Sequence, residues 1–193
     1  LAEATDKAIP LQLGAVQIDV DAETRKLEAA MATSLDSNSI ADSYLDLAYL
    51  YATAGRKNEV VATYNKVISL HPLSLAAITA GARMSDITYE EKLFGQTAEY
   101  SMKALDNYAD FLMLSSDKRQ PQQYDILTAL KRLAQFDKEY QRDYLKRIAE
   151  KYLKITAQNP ILAEFFFMLG YNLQLQNDSK LAKRCFVEAE AQI

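Results

Sequence analysis

Two stretches of this chain, 122 positions apart, carry the same series of apolar and small residues, so the fold must be built on a repeated unit. The first reads Tyr44, Leu47, Ala48, Tyr51, a turn at Gly55, then Val60, Tyr64 and Val67. The second reads Phe166, Leu169, Gly170, Leu173, a polar turn at Asn177 and Asp178, then Ala182, Phe186 and Ala189. Within each stretch the spacings of three, four and seven put the side chains on one helical face, and the turn separates two such helices. Pro72 closes the first stretch, because proline cannot continue a helix's hydrogen-bond ladder, and Pro160 is assigned the same part at the end of the preceding unit.

An aromatic, then Leu with a small residue, then Tyr, Ala, Phe and Pro over 34 residues is the tetratricopeptide pattern, and this chain resembles that family most closely from Ala41 to Ser74 and from Ala163 onward. The resemblance implies an all-α fold, a right-handed superhelix (α-solenoid) of antiparallel helix pairs. Ala48 and Gly170 would sit where the two helices of a unit cross, with Tyr64 and Phe186 filling the space between units.

Steps of 34 from Ala48 reach Gly14, preceded by Leu13, and Ala82, preceded by Gly81. The chain therefore divides into a degenerate unit over about 5–38, a clear unit over 41–74, lengthened units over about 75–120 and 121–160, and a clear unit over 163–193. Pro10 departs from the pattern, and Val16, Ile18 and Val20 alternate like a strand. Phe94, Ala98, Ser101, Leu105, Tyr108 and Leu112 recur in steps of four and three, which predicts one long helix from about Tyr89 to Ser115, roughly 40 Å at 1.5 Å per residue. The fourth unit runs from Pro121 through Tyr124, Leu127, Thr128, Tyr152 and Ile155, with helices that also read as extended.

Composition agrees with short-turned helices: five Gly and four Pro occur in 193 residues. A net charge of −4 gives no bulk attraction to nucleic acid or to an anionic membrane, and no stretch approaches the roughly 18 apolar residues of a membrane helix. No nucleic-acid partner and no direct membrane insertion are expected. The chain begins with Leu1, so an upstream signal or anchor is compatible with it, and the compartment stays open between cytoplasmic and exported.

Catalytic patterns are thin, and the chain is read as a non-enzyme with no cofactor and no metal. His71 precedes Pro72 in a turn, with no second histidine to share a metal, and Cys185 beside Phe186 reads as a structural thiol. The acidic pairs Glu90–Glu91 and Asp42–Asp46 read as solvated helix charges, and no phosphate-binding loop is present. From Lys131 to Lys154 eight basic residues face four acidic ones, with Asp143–Arg147 and Glu150–Lys154 at the spacing of helix surface pairs.

The family resemblance implies a concave wall formed by the first helix of each unit, holding a protein or peptide partner. Its slots fall on Asp42, Leu45, Tyr49 and Ala52, then Thr79 and Arg83, then Asp125 and Arg132, then Phe167, Tyr171 and Gln174. Tyr49 and Tyr171 occupy equivalent positions and offer rigid amphipathic contacts. Some family members clamp a terminal carboxylate with lysines and asparagines; Leu45 and Tyr49 stand where the first of these would be, so that role is not expected. The alternative to an adaptor is an assembly module of a larger protein, with homo-oligomerisation through the uncovered C-terminal helix, and a remote third is an enzyme on a helical scaffold.

Overall fold

The computed structural model describes residues 19–140 and 143–193, and among them the chain is entirely helical outside its turns. The helices are α1 (Val20–Thr33), α2 (Ser37–Thr53), α3 (Lys57–Leu70), α4 (Leu75–Glu90), α5 (Phe94–Leu114), α6 (Gln123–Tyr140), α7 (Tyr144–Tyr152), α8 (Pro160–Leu175) and α9 (Ser179–Ala191). Short polar side chains set several of the starts: Asp36 accepts from the Ser39 amide, Ser74 from Ala77 and Asp178 from Leu181, each satisfying a donor that the first turn leaves free.

The 122-residue repeat is present in three dimensions. Shifted by that offset, α2 and α3 fall on α8 and α9 to within a residue at each end. The turns match bond for bond. Gly55 (φ 71°) and Asn177 (φ 67°) both take the left-handed conformation; the Arg56 amide donates to the Tyr51 carbonyl at 2.9 Å, and the Asp178 amide to that of Leu173 at 3.0 Å. These are Schellman caps, which stop the first helix and turn the chain into the second.

The same cap stops α4. Lys92 has φ 60°, and the Leu93 amide donates to the Thr88 carbonyl at 2.8 Å. The expected helix from Tyr89 to Ser115 is therefore broken at Lys92, and its body is the 21-residue α5. A lysine in a left-handed cap gives no sequence signal, since glycine and asparagine are the residues that favour it.

The fourth unit also differs from expectation. The first helix, α6, has 18 residues, but α7 has nine and is not extended. Pro160 does not end a helix; it opens α8 at its first position, behind the N-cap Asn159, where its missing N–H costs nothing. Of the expected first unit, α1 is the second helix, whereas residues 5–18, with Val16 and Ile18, lie outside the described residues; Val20 opens α1.

Packing follows two layers. In one layer α2, α4, α6 and α8 each touch the next, and in the other α5, α7 and α9 do so, with α1 against α2 and α3 wedged against α2 and α4. The larger core lies between α5, α7 and α8, where Tyr152 stacks on Phe165 at 4.3 Å and its hydroxyl donates to the Leu105 carbonyl at 2.7 Å. Close crossings depend on glycine: a Cβ on Gly170 would lie 2.9 Å from the Phe186 ring and 3.1 Å from the Ala182 carbonyl, and one on Gly81 would lie 3.1 Å from the Ala104 Cβ. In the third unit the crossing residue is thus Gly81, one before the Ala82 slot.

Two substitutions test this frame by urea unfolding. Lys92→Gly removes the strain of a side chain in the left-handed region and is expected to stabilise by about 1 kcal/mol. Gly170→Ala overpacks the α8–α9 crossing and is expected to destabilise by about 1–3 kcal/mol.

Candidate functional site

The layer of α2, α4, α6 and α8 has an outer face, and most of the residues expected on a concave wall are found there. Asp42 is bound by Arg119 from the loop before α6, at 2.7 Å, and Arg119 also grips Asp117 at 2.8 Å. Tyr49, Phe167 and Tyr171 are 43%, 59% and 54% exposed, and Ala52 and Gln174 are exposed. Thr79 is half-buried, and so is Leu45, which packs on the α2–α3–α4 core and contributes to that core as much as to the surface.

The middle of this face is a four-charge network. Arg83 on α4 contacts Asp86 on its own helix and Asp125 on α6, both at 3.1 Å. Arg132 on α6 reaches back to Asp86, donates to Ser85 Oγ at 3.3 Å and lies over the Tyr89 ring, 4.9 Å from its centre. Two carboxylates and two guanidiniums thus join α4 and α6 with their charges balanced.

Asp125 is a correction. It was expected to face a partner, but it is only 1% exposed, and neither carboxylate oxygen has an aligned hydrogen-bond donor despite the nearby Arg83. The cause is the register of α6: the buried stripe runs through Ile126, Ala129, Leu130 and Leu133, two positions along from the stripe through Tyr124, Leu127 and Thr128 expected from the repeat. Asp125 rotates inward with it, and Tyr124 rotates out into solvent. Burial pushes the Asp125 carboxyl above its ordinary range, Arg83 opposes the rise, and Asp86 adds to it.

Tyr124 belongs to a shallow cleft of about 440 Å³ between α6 and α8, lined by Gln123, Leu127, Thr128, Lys131, Glu164 and Met168. Gln123 donates to Glu164 across it. Sequence reasoning missed Tyr124, Asp86 and Arg119 as parts of this face. A signal existed for Asp86, three residues after Arg83 and so on the same side of the helix; none existed for Arg119, which reaches Asp42 from a loop 77 positions away.

The remaining candidates are structural. Cys185 is buried and its thiol is pushed up to about 12 by burial, so it stays protonated at neutral pH. His71 is lowered by burial and then by Lys66, and its Nδ1 lies 2.9 Å from the Ser37 hydroxyl. Burial raises Asp46, as does its neighbour Asp42. The expected pairs Asp143–Arg147 and Glu150–Lys154 do not close among the described residues, the second because α7 ends at Tyr152 before Lys154; Lys151 instead bonds Asp106 and Asp110 of α5, at 3.2 and 2.9 Å. Among the described residues, no group of three or more His, Cys, Asp or Glu could hold a metal, and no helix is long and apolar enough to cross a membrane.

No family model and no curated protein matches this chain. Among solved structures it is similar to the crystal structure of BtubC (BKLC) from P. vanneervenii, at 18% identity and a TM-score of 0.45, over 90% of this chain and 73% of that one. A likeness of that degree carries no functional argument.

The pH dependence of Asp125 gives a test of the network. Its folded pKa is raised, so ionisation is harder in the folded chain than in the unfolded one, where it occurs near about 3.9. Its contribution to stability is therefore greatest when it is protonated and declines as pH rises through that value towards the raised one. Urea unfolding should show Asp125→Asn gaining stability relative to wild type as pH rises above about 4. Burial raises Asp46 and Asp137 too, but they cancel in this difference.

Proposed function

We propose that this chain is a protein-interaction scaffold that binds a peptide or protein segment along the outer face of α2, α4, α6 and α8, the concave wall of a tetratricopeptide-like solenoid. The observation that carries the reading is the set of large aromatic side chains left in solvent on that face: Tyr49 on α2, Tyr124 on α6, and Phe167 and Tyr171 on α8. Aromatic groups held on rigid helices give large contact areas at little entropic cost, and exposed apolar clusters bordered by polar groups are the usual mark of interaction sites.

The charges between the aromatics support the same reading. Arg83, Asp86 and Arg132 pair with one another, and Asp42 pairs with Arg119, so a partner need not bring a compensating charge to bind. What they offer is hydrogen-bonding edges beside apolar rings, suited to a segment that alternates apolar anchors with backbone or polar contacts. The reading assigns binding and no catalytic step.

Selection of a displayed peptide library on the immobilised chain tests it. Enriched peptides should lose roughly tenfold or more in affinity to a Tyr49→Ala/Tyr124→Ala variant whose helicity is unchanged, as expected for aromatic anchors. Undiminished binding by that variant would remove this face from consideration.

A further inference from the structure

We propose that the cleft between α6 and α8 is the specificity pocket of the aromatic face, and that it selects an extended segment of another polypeptide with the pattern basic–x–aromatic–x–acidic. This rests on the reading of that face as a binding surface and adds the residue types it takes. Two ties frame the cleft. Gln123 at the start of α6 donates to Glu164 near the start of α8, and Gln176, which caps the end of α8, donates to Asp137 near the end of α6 at 2.9 Å. The two helices therefore run parallel and are held side by side at both ends.

Between the ties about 440 Å³ stays open, whereas between α4 and α6 Arg83 and Arg132 cross from helix to helix and occupy the space. The floor is the edge of the larger core, with Leu127 and Met168 half-buried against it, and the wall is the Tyr124 ring, 64% exposed. A phenyl ring entering here meets the Tyr124 ring and the Met168 thioether, and both contacts favour an aromatic over an aliphatic side chain. Because α6 and α8 touch, the opening admits a side chain and not a helix, and the partner's backbone runs above it.

Charge decides the flanking residues. Lys131 stands at one end of the cleft and Glu164 at the other, both exposed and, among the described residues, without an ion-pair partner, unlike Arg83, Asp86 and Arg132, which pair with one another. Glu164 lies level with Gln123, so the two charges are separated along the cleft by the helix from Gln123 to Lys131, about 12 Å at 1.5 Å per residue. In an extended chain every second side chain falls on one face, and positions four apart are separated by about 13 Å. An aromatic residue seated in the middle therefore brings the residue two before it to one charge and the residue two after it to the other. A basic residue at Glu164 and an acidic one at Lys131 complement both. Reversing the pattern together with the chain direction gives the same pairing, so the motif reads either way.

The test uses the full chain and, as probes, the capped peptides GKSFSEG, GKSFSKG, GESFSEG and GKSASEG. Amide shifts of the isotope-labelled protein, followed to millimolar GKSFSEG, should change saturably around Leu127, Lys131 and Met168. This peptide should bind several-fold more tightly than either like-charged one, and about tenfold or more tightly than GKSASEG, which lacks the ring. Lys131→Glu makes both ends of the cleft acidic and should move the preference to GKSFSKG, with circular dichroism unchanged. Three results would overturn the proposal: no saturable shift, saturable shifts around Tyr49 and not in the cleft, or a charge preference that Lys131→Glu leaves as it was. Lys131→Glu keeps Tyr49, Tyr124, Phe167 and Tyr171 in place, so the cleft is tested apart from the face. Selected peptides that need Tyr49 and Tyr124 but show no charge preference would keep the face and remove the cleft.

Discussion

In the α4–α5 and α8–α9 pairs the spacing of the two helices rests on one missing methyl group. At Gly170 the α9 side of the contact is the Phe186 ring and the Ala182 carbonyl, and at Gly81 it is the backbone of Ala104 in α5. Both leave less room than a Cβ normally has, so the distance between helices is set by the absence of a side chain. That distance in turn fixes the two-layer arrangement, because each pair can present a flat shoulder to the next only if its helices lie close together. The α4 helix shows the consequence: its alanine face lies on the shoulder of α2 and α3 while Gly81 brings α5 against it.

Between units the interaction is of another kind. Arg83, Asp86, Asp125 and Arg132 bridge α4 and α6, and one of the carboxylates is almost wholly removed from water without an aligned hydrogen bond. Desolvation makes such a pair a poor source of net stability. It is, however, a strong constraint on register, since sliding α6 by a turn would leave Asp125 buried without Arg83, at a cost of several kcal/mol. Apolar packing between α4 and α6 alone would tolerate such a slip far better.

The parts of the fold legible in the sequence are those where residue type and local conformation agree. Gly55 and Asn177 are the residues a left-handed cap prefers, and so the pairs α2–α3 and α8–α9 could be bounded to within a few positions. Lys92 takes the same conformation against its own preference, and the break between α4 and α5 was hidden. The α6 face was hidden for a different reason. Tyr124 and Ile126 are both large and apolar, so periodicity alone left the helix free to rotate, and the buried stripe was settled by packing against α5 and α8. Tyr49 and Tyr171 were legible because they sit one residue past a small crossing residue, off the buried stripe on any reading of the repeat.

The candidate face also bears on how a partner would be held. Its arginines are paired with aspartates of the same face, and the chain as a whole carries only −4, so little field extends into solvent to guide a charged segment from a distance. Association would proceed at the ordinary rate of oriented docking, and differences among partners would appear in dissociation. Dissociation depends on contacts made after arrival, which on this face are the rings of Tyr49, Tyr124, Phe167 and Tyr171. These rings stand on three helices of one layer, with the network of α4 and α6 between them. A short segment held at one end would engage one or two rings; only a segment extending along the layer would engage them all. Discrimination on such a surface therefore comes from the spacing of apolar anchors along the partner more than from its charge.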